Sequence, residues 1–156
     1  MSSNAGKRFE EDFKKSVPQQ YFIYRLRDSA GTWQGGENTR FTPSNICDFM
    51  VMGIEKLYLL ELKTHTGMSL PISCIRKNQI EEMSKIEQQN VKAYFLINFR
   101  DIERTYAIEA KKLKAFILIT EKKSIPIKWC IENGTEILSD KKRTRFSYKL
   151  EQLFAS

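Results

Sequence analysis

Asp48, Glu61 and Lys63 are the residues whose types and spacing could do chemistry in this chain. The segment Lys56 to Thr64 (KLYLLELKT) alternates with apolar residues on both faces: Leu57 and Leu59 on one, Tyr58, Leu60 and Leu62 on the other. That pattern predicts a central strand buried on both sides. Side chains of a strand alternate, so Glu61 and Lys63 continue the Leu57–Leu59 row, and this face turns from apolar to charged. Charges on such a face are costly unless they pair or bind something. Ile46 to Met52 (ICDFMVM) reads as the preceding strand, with Gly53, Ile54 and Glu55 as the turn of an antiparallel hairpin. The start of one hairpin strand faces the end of the next, which sets Asp48 beside Glu61. Two carboxylates and a lysine at one strand end make a hard-oxygen site for Mg²⁺, able to polarise a phosphate and acidify a water that Lys63 orients or deprotonates. The same residues would also serve as a structural salt bridge at a sheet rim. Spacing alone does not choose, because E-x-K recurs at Glu109/Lys111 and Glu121/Lys123 and D-x-K at Asp12/Lys14 and Asp140/Lys142. Only Glu61/Lys63 ends a two-sided apolar strand with an acid on the strand before it.

The elements that must position these residues follow from periodicity. Phe9, Phe13 and Val17 recur at i, i+4 and i+8, predicting a first helix over residues 5–17 stopped by Pro18. Gln20 to Arg27 reads as a strand, and Asp28 to Asn45 as a long loop of a kind that is usually functional. His65 to Ser73 is a loop. Arg76 to Gln89 is helical, with Ile75, Gln79, Met83 and Ile86 on one side. Val91 to Phe99 and Arg104 to Ile108 are strands, Ala110 to Ile119 a helix, and Tyr148 to Phe154 a closing helix. The expected order is α-β-β-β-α-β-β-α, one α/β domain over residues 1–156 with helices on a mixed central sheet.

Composition narrows the partners. The 156 residues hold 26 Lys and Arg against 19 Asp and Glu, for a net charge of +7. A basic balance favours a polyanion, nucleic acid before an anionic membrane surface. Cys47, Cys74 and Cys130 are odd in number and never C-x-x-C, which excludes a disulfide framework or a zinc site and suggests a reducing cytoplasm. His65 is the only histidine, so H-E-x-x-H chemistry is excluded. The start lacks a signal-peptide run, and no window is apolar enough to span a membrane.

Three blocks of the chain are similar to the RecU family of Holliday junction resolvases, within the PD-(D/E)xK nucleases. The first is Ala5-Gly6-Lys7-Arg8-Phe9-Glu10-Glu11-Asp12, resembling R-G-x-x-L-E-E-D. The second is Cys47-Asp48-Phe49 with Glu61-Leu62-Lys63, resembling T-D-Y … E-A-K. The third is Ser69-Leu70-Pro71-Ile72 followed by Asn78-Gln79-Ile80-Glu81-Glu82-Met83, resembling S-F-P-L … H-Q-I-E-x-M with the same spacing from proline to glutamine. The resemblance implies a restriction-endonuclease-like α/β core. It implies a metal, Mg²⁺ or else Mn²⁺, held by Asp48, Glu61, Leu62 and Glu10. Lys63 would attend the water, and Gln79 would stand near the site on the following helix. Glu11 is the rival of Glu10 for the acidic role. The implied activity is resolution of four-way junction DNA by a homodimer in recombination and repair, in the cytoplasm of a bacterium or a phage-infected one. The alternatives are another PD-(D/E)xK DNA nuclease of restriction, nicking or repair type, or a junction-binding protein without catalysis. In RecU a long insertion between early strands enters the junction; the 28–45 segment here looks shorter, so junction selectivity is the property it bears on. The DNA surface is expected at Lys7, Arg8, Arg25, Arg27, Arg40, Arg76 and Lys77, with Trp33 and Phe41 available to stack on an open base. A late basic run, Lys141, Lys142, Arg143 and Arg145, is a further candidate.

Overall fold

The computed structural model describes residues 2–26 and 45–155, with side chains from residue 4 onward. Helix α1 (Ser2–Ser16) leads into β1 (Phe22–Arg25). The hairpin β2 (Phe49–Met52) and β3 (Leu57–His65) follows, then the short strand β4 (Ser69–Pro71) and helix α2 (Lys77–Ser84). Strands β5 (Val91–Phe99) and β6 (Arg104–Glu109) precede α3 (Ala110–Ile119), β7 (Ser124–Pro126) and α4 (Ile127–Asn133). The chain closes with β8 (Thr135–Ile137), β9 (Ser139–Lys142), β10 (Arg145–Tyr148) and α5 (Glu151–Ala155).

Six strands form one sheet in the order β1-β2-β3-β5-β6-β8. All neighbours are antiparallel except β3 and β5, which run parallel from Leu57↔Val91 to His65↔Phe99. The parallel pair needs a crossover, and the stretch containing α2 supplies it. The expected fold class, a mixed sheet flanked by helices, is therefore the observed one.

Each face of the sheet carries its own core. Leu59, Phe95, Ile97 and Ile108 pack with Ile80 and Met83 of α2, Leu113 of α3 and Cys130 of α4. On the other face Phe49, Val51, Leu60, Leu62 and Leu96 pack with Phe9 and Phe13 of α1, Tyr148 of β10 and Leu153 and Phe154 of α5. The stripe read from the sequence is the buried one: Phe13 is fully buried, and Val17 packs at its edge. Each such aromatic adds roughly 1.5–3 kcal/mol by leaving water. Strand β3 lies between both cores, as its two-sided pattern requires.

Several boundaries differ from expectation, each for a physical reason. Helix α2 ends at Ser84 rather than continuing to Gln89; Lys85 N–H bonds to the Glu82 carbonyl, and the next residues turn toward β5. The 65–73 segment is not all loop, because Ser69–Pro71 pairs with Ser124–Pro126 more than fifty residues away. Three residues ending in proline carry no period, so only the distant partner reveals the strand. Tyr148 belongs to β10 and not to the closing helix, which starts at Glu151. The strands β7, β8, β9 and β10 and the helix α4 are likewise additions to the expected order.

Candidate active site

The β2–β3 hairpin sets the site. Its register places Phe49 opposite Leu60, which brings Asp48 level with Glu61. The backbone of Asp48 is held on both sides: its N–H donates to the Leu60 carbonyl at 3.1 Å, and its carbonyl accepts the Leu26 N–H at 2.8 Å. The side chain is pinned as well, since Asp48 Oδ2 accepts the Leu62 N–H at 2.8 Å. Three main-chain bonds, two to β3 and one to the residue after β1, thus aim one carboxylate.

Glu61 and Lys63 share the face predicted for them, and Lys63 Nζ lies 2.8 Å from Glu61 Oε1. Glu61 is 3% exposed, and its Oε2 is buried with no hydrogen-bond partner among the described residues. Burial drives the Glu61 carboxyl pKa upward, against the opposing pull of Lys63, the Gln79 amide and Arg76. Burial, and then the neighbouring Glu61 charge, push Asp48 up to about 7. Two carboxyls, one buried and one half-buried, are therefore crowded in a corner that favours their neutral forms. Gln79, buried on α2, faces the same corner, and its Oε1 is likewise without a partner. A cation would relieve the crowded carboxyls and the unpartnered Glu61 oxygen, and hard oxygen donors suit a divalent one. The donors present fit the metal that the sequence resemblance implies. Among the described residues, no three acidic, histidine or cysteine side chains are gathered into one ligand group. The pair Asp48 and Glu61 is the acidic nucleus, with Leu62 between Glu61 and Lys63 as a main-chain neighbour.

Helix α1 sorts its three consecutive acids into three environments, because successive residues point about 100° apart. Glu10 accepts from Arg25 Nε at 2.7 Å on the side of β1 and adds to the negative field at Asp48. Glu11 is exposed and pairs with Arg145 Nη2 at 2.9 Å. Asp12 is 4% exposed; it accepts Arg145 Nε at 2.7 Å and the Phe146 N–H at 3.1 Å. Glu10 is thus the acid turned toward the hairpin, and Glu11 is not. Asp12, which sequence reasoning passed over, is the structural anchor of α1 on β10. The D-x-K pairing with Lys14 gave no hint of this, since its partner lies 133 residues away.

Cys47 is an ordinary buried thiol: burial pushes its pKa up to about 12, and its Sγ donates to the Phe49 carbonyl. Among the expected DNA contacts, Lys7, Arg8, Arg76 and Lys77 are exposed, and Arg76 caps α2 close enough to act on Glu61. Arg25 is engaged with Glu10. Arg27, Arg40, Trp33 and Phe41 lie outside the described residues. In the late basic run, Arg145 is paired with α1 and Lys141 with Glu103, so these two serve the β9–β10 hairpin.

The mixed sheet flanked by helices is of the restriction-endonuclease-like class that the sequence resemblance implies. The structure of the Archaeoglobus fulgidus protein Hjc, described as a Holliday junction resolvase from an archaeal hyperthermophile, superimposes with a TM-score of 0.54 over 84% of this chain and 95% of that one, at 17% identity. Residues 8–150 match the family described as Recombination protein U, and the chain belongs to it. A Bacillus subtilis SPbeta prophage-derived uncharacterized protein, YotM, is 29% identical over 97% of this chain and 86% of its own length. The Holliday junction resolvase RecU of Lactococcus lactis is 35% identical over 78 residues, 48% of this chain and 36% of that protein. This chain therefore aligns with about a third of the Lactococcus resolvase. No helix among the described residues is long and apolar enough to cross a membrane.

Proposed function

We propose that this chain is a divalent-metal-dependent endonuclease that resolves four-way DNA junctions. The observation that carries the reading is the Asp48–Glu61 pair: a half-buried carboxyl beside a buried one, the latter with Lys63 on one oxygen and no partner on the other, in a member of the Recombination protein U family. Asp48, Glu61, the Leu62 carbonyl and Glu10 are the residues that would hold Mg²⁺, or Mn²⁺ in its place. The ion, when bound, supplies phosphate polarisation and an acidified water. Lys63 keeps Glu61 oriented through its 2.8 Å contact and would order the attacking water or, as the neutral amine, take its proton. Gln79 positions Glu61 from the α2 side. The water oxygen bonds to phosphorus, the P–O3′ bond breaks, and the 3′ oxygen leaves with a proton, giving a 5′-phosphate and a 3′-hydroxyl. Resolution needs two symmetric cuts, so a homodimer with one site per subunit fits the substrate. The prophage source of YotM supports a role in the cytoplasm of a bacterium or a phage-infected one.

The test compares a synthetic four-way junction with linear duplex of the same sequence, with and without divalent metal. Paired symmetric nicks in the junction, dependent on metal, are the expected result. Equal cutting of linear duplex identifies another nuclease of the same fold. Tight junction binding with no metal-dependent product identifies a binder without catalysis.

A further inference from the structure

A cleft of about 430 Å³ opens on the α1 face of the sheet. Thr64 lines it, and Thr64 directly follows Lys63 on β3. Strand alternation sends the two side chains to opposite faces. The cleft and the Asp48–Glu61–Lys63 row are therefore back to back at one rim of the sheet.

The floor of the cleft is polar where the sheet is otherwise apolar. Asn98, 9% exposed, follows Leu96 on the same face of β5. It accepts from Thr64 Oγ1 at 2.8 Å and donates through Nδ2 to Thr105 Oγ1 at 2.9 Å. A buried amide between two hydroxyls costs stability relative to a leucine there unless it is fully bonded. This one is bonded into a rigid polar base. The aromatic side of the wall is Phe9, Phe146 and Tyr148, with Phe9 edge-on to Tyr148 at 5.6 Å and Phe146 stacked on Tyr148 at 6.2 Å.

The charges in the wall are unevenly spent. Asp12 is satisfied by Arg145, and Glu103 by Lys141. The two cationic liners, Arg8 and Arg100, make no ion pair among the described residues, although Arg8 acts at longer range on Glu11. Two uncommitted guanidinium groups, hydroxyl and amide groups and aromatic rings in one concavity match a phosphate joined to a base. The volume falls in the range of small-ligand sites, roughly 300–1,000 Å³, well above what a lone phosphate needs.

We propose that this cleft receives one unstacked nucleotide of the DNA strand being cut, its phosphate on Arg8 and Arg100 and its base against the aromatic wall. The inference rests on the nuclease reading above and extends it to a second contact point. A strand that rounds the rim of the sheet meets the acidic pair on one face and the cleft on the other. Branch-point nucleotides are the cheapest to unstack, as are other unpaired bases.

The experiment is a salt titration of four-way junction binding without divalent metal, for the intact chain and for Arg8→Ala, Arg100→Ala and the double variant. Lys128→Ala, an exposed lysine of α4 on the opposite face, is the control for general charge. Each cleft variant should bind about 3–10-fold more weakly, and the slope of log affinity against log salt should fall by about 0.7–0.9 for each phosphate left without its cation. A 2-aminopurine beside the cut phosphate should brighten when the intact chain binds and stay dim with the double variant. Slopes matching that of Lys128→Ala, or no brightening with the intact chain, overturn the proposal. The same titrations on linear duplex and single strand separate the two readings. Absence of junction preference sinks the resolvase reading, while an unchanged slope on every DNA form sinks the cleft.

Discussion

Two buried carboxylates stand on either side of the central sheet, and they are treated in opposite ways. Asp12 on α1 accepts a guanidinium N–H and a main-chain N–H, so both its oxygens are bonded. Glu61 on β3 has one oxygen against Lys63 and the other against nothing. Burial is nearly the same, 4% and 3% exposed. A satisfied buried acid fastens one element to another; an unsatisfied one is a cost the fold carries for some other purpose. Asp12 joins α1 to β10, and its neighbour Ser16 extends the seam by accepting the Tyr148 N–H at 2.8 Å. Glu61, with one oxygen left over, stands beside a second acid.

The largest effect that can break this contrast is on cutting. Asp48→Asn and Glu61→Gln should each lower junction cleavage by about 10³-fold or more, a barrier increase of about 4 kcal/mol, while binding without metal stays within a few-fold. Cleavage near the original rate in either variant removes the site assignment. Next comes stability at the other acid. Arg145→Ala leaves Asp12 with one main-chain donor and should clearly lower the urea midpoint. Glu11→Gln, on the exposed arm of the same arginine, should leave the urea midpoint near that of the parent. Equal losses in the two variants would mean that burial of Asp12 carries no special weight.

A third effect has the opposite sign. The Asp48 pKa in the fold, about 7, lies above its unfolded value of about 3.9. The fold therefore prefers Asp48 protonated: that stabilisation is whole below the unfolded pKa and is lost as pH rises through about 7. Asp48→Asn removes the charge and should raise metal-free stability by on the order of 1–2 kcal/mol at pH 8, with the gain shrinking toward pH 5. Added Mg²⁺ should raise the melting temperature of the intact chain and leave that of the variant unmoved. A variant less stable than the parent at pH 8 would show that the Leu62 N–H bond to Asp48 outweighs the crowding.

Much of this is legible in the amino-acid order alone. The strand over 91–99 and the helix over 110–119 match residue for residue, because long periodic runs with strong β or helical character leave little choice. The pairing of Asp48 with Glu61 follows from hairpin geometry. The hidden parts depend on distant partners. The strand at Ser69–Pro71 exists through Ser124–Pro126, and the role of Asp12 exists through Arg145. Neither leaves a local pattern. The basic run at 141–145 shows the converse: a conspicuous charge cluster whose members Lys141 and Arg145 face acids of the same chain.

The bond from the Leu62 amide to Asp48 Oδ2 has one more consequence. An acid side chain stands in for the next main-chain carbonyl, so the ladder between the two hairpin strands ends on the very group that would grip the ion. The aim of that group is thus locked to the reading frame of the strands. Lengthening the turn between Met52 and Leu57 would leave the frame alone, whereas deleting one residue from Phe49–Met52 would swing the acid to the far side of the sheet.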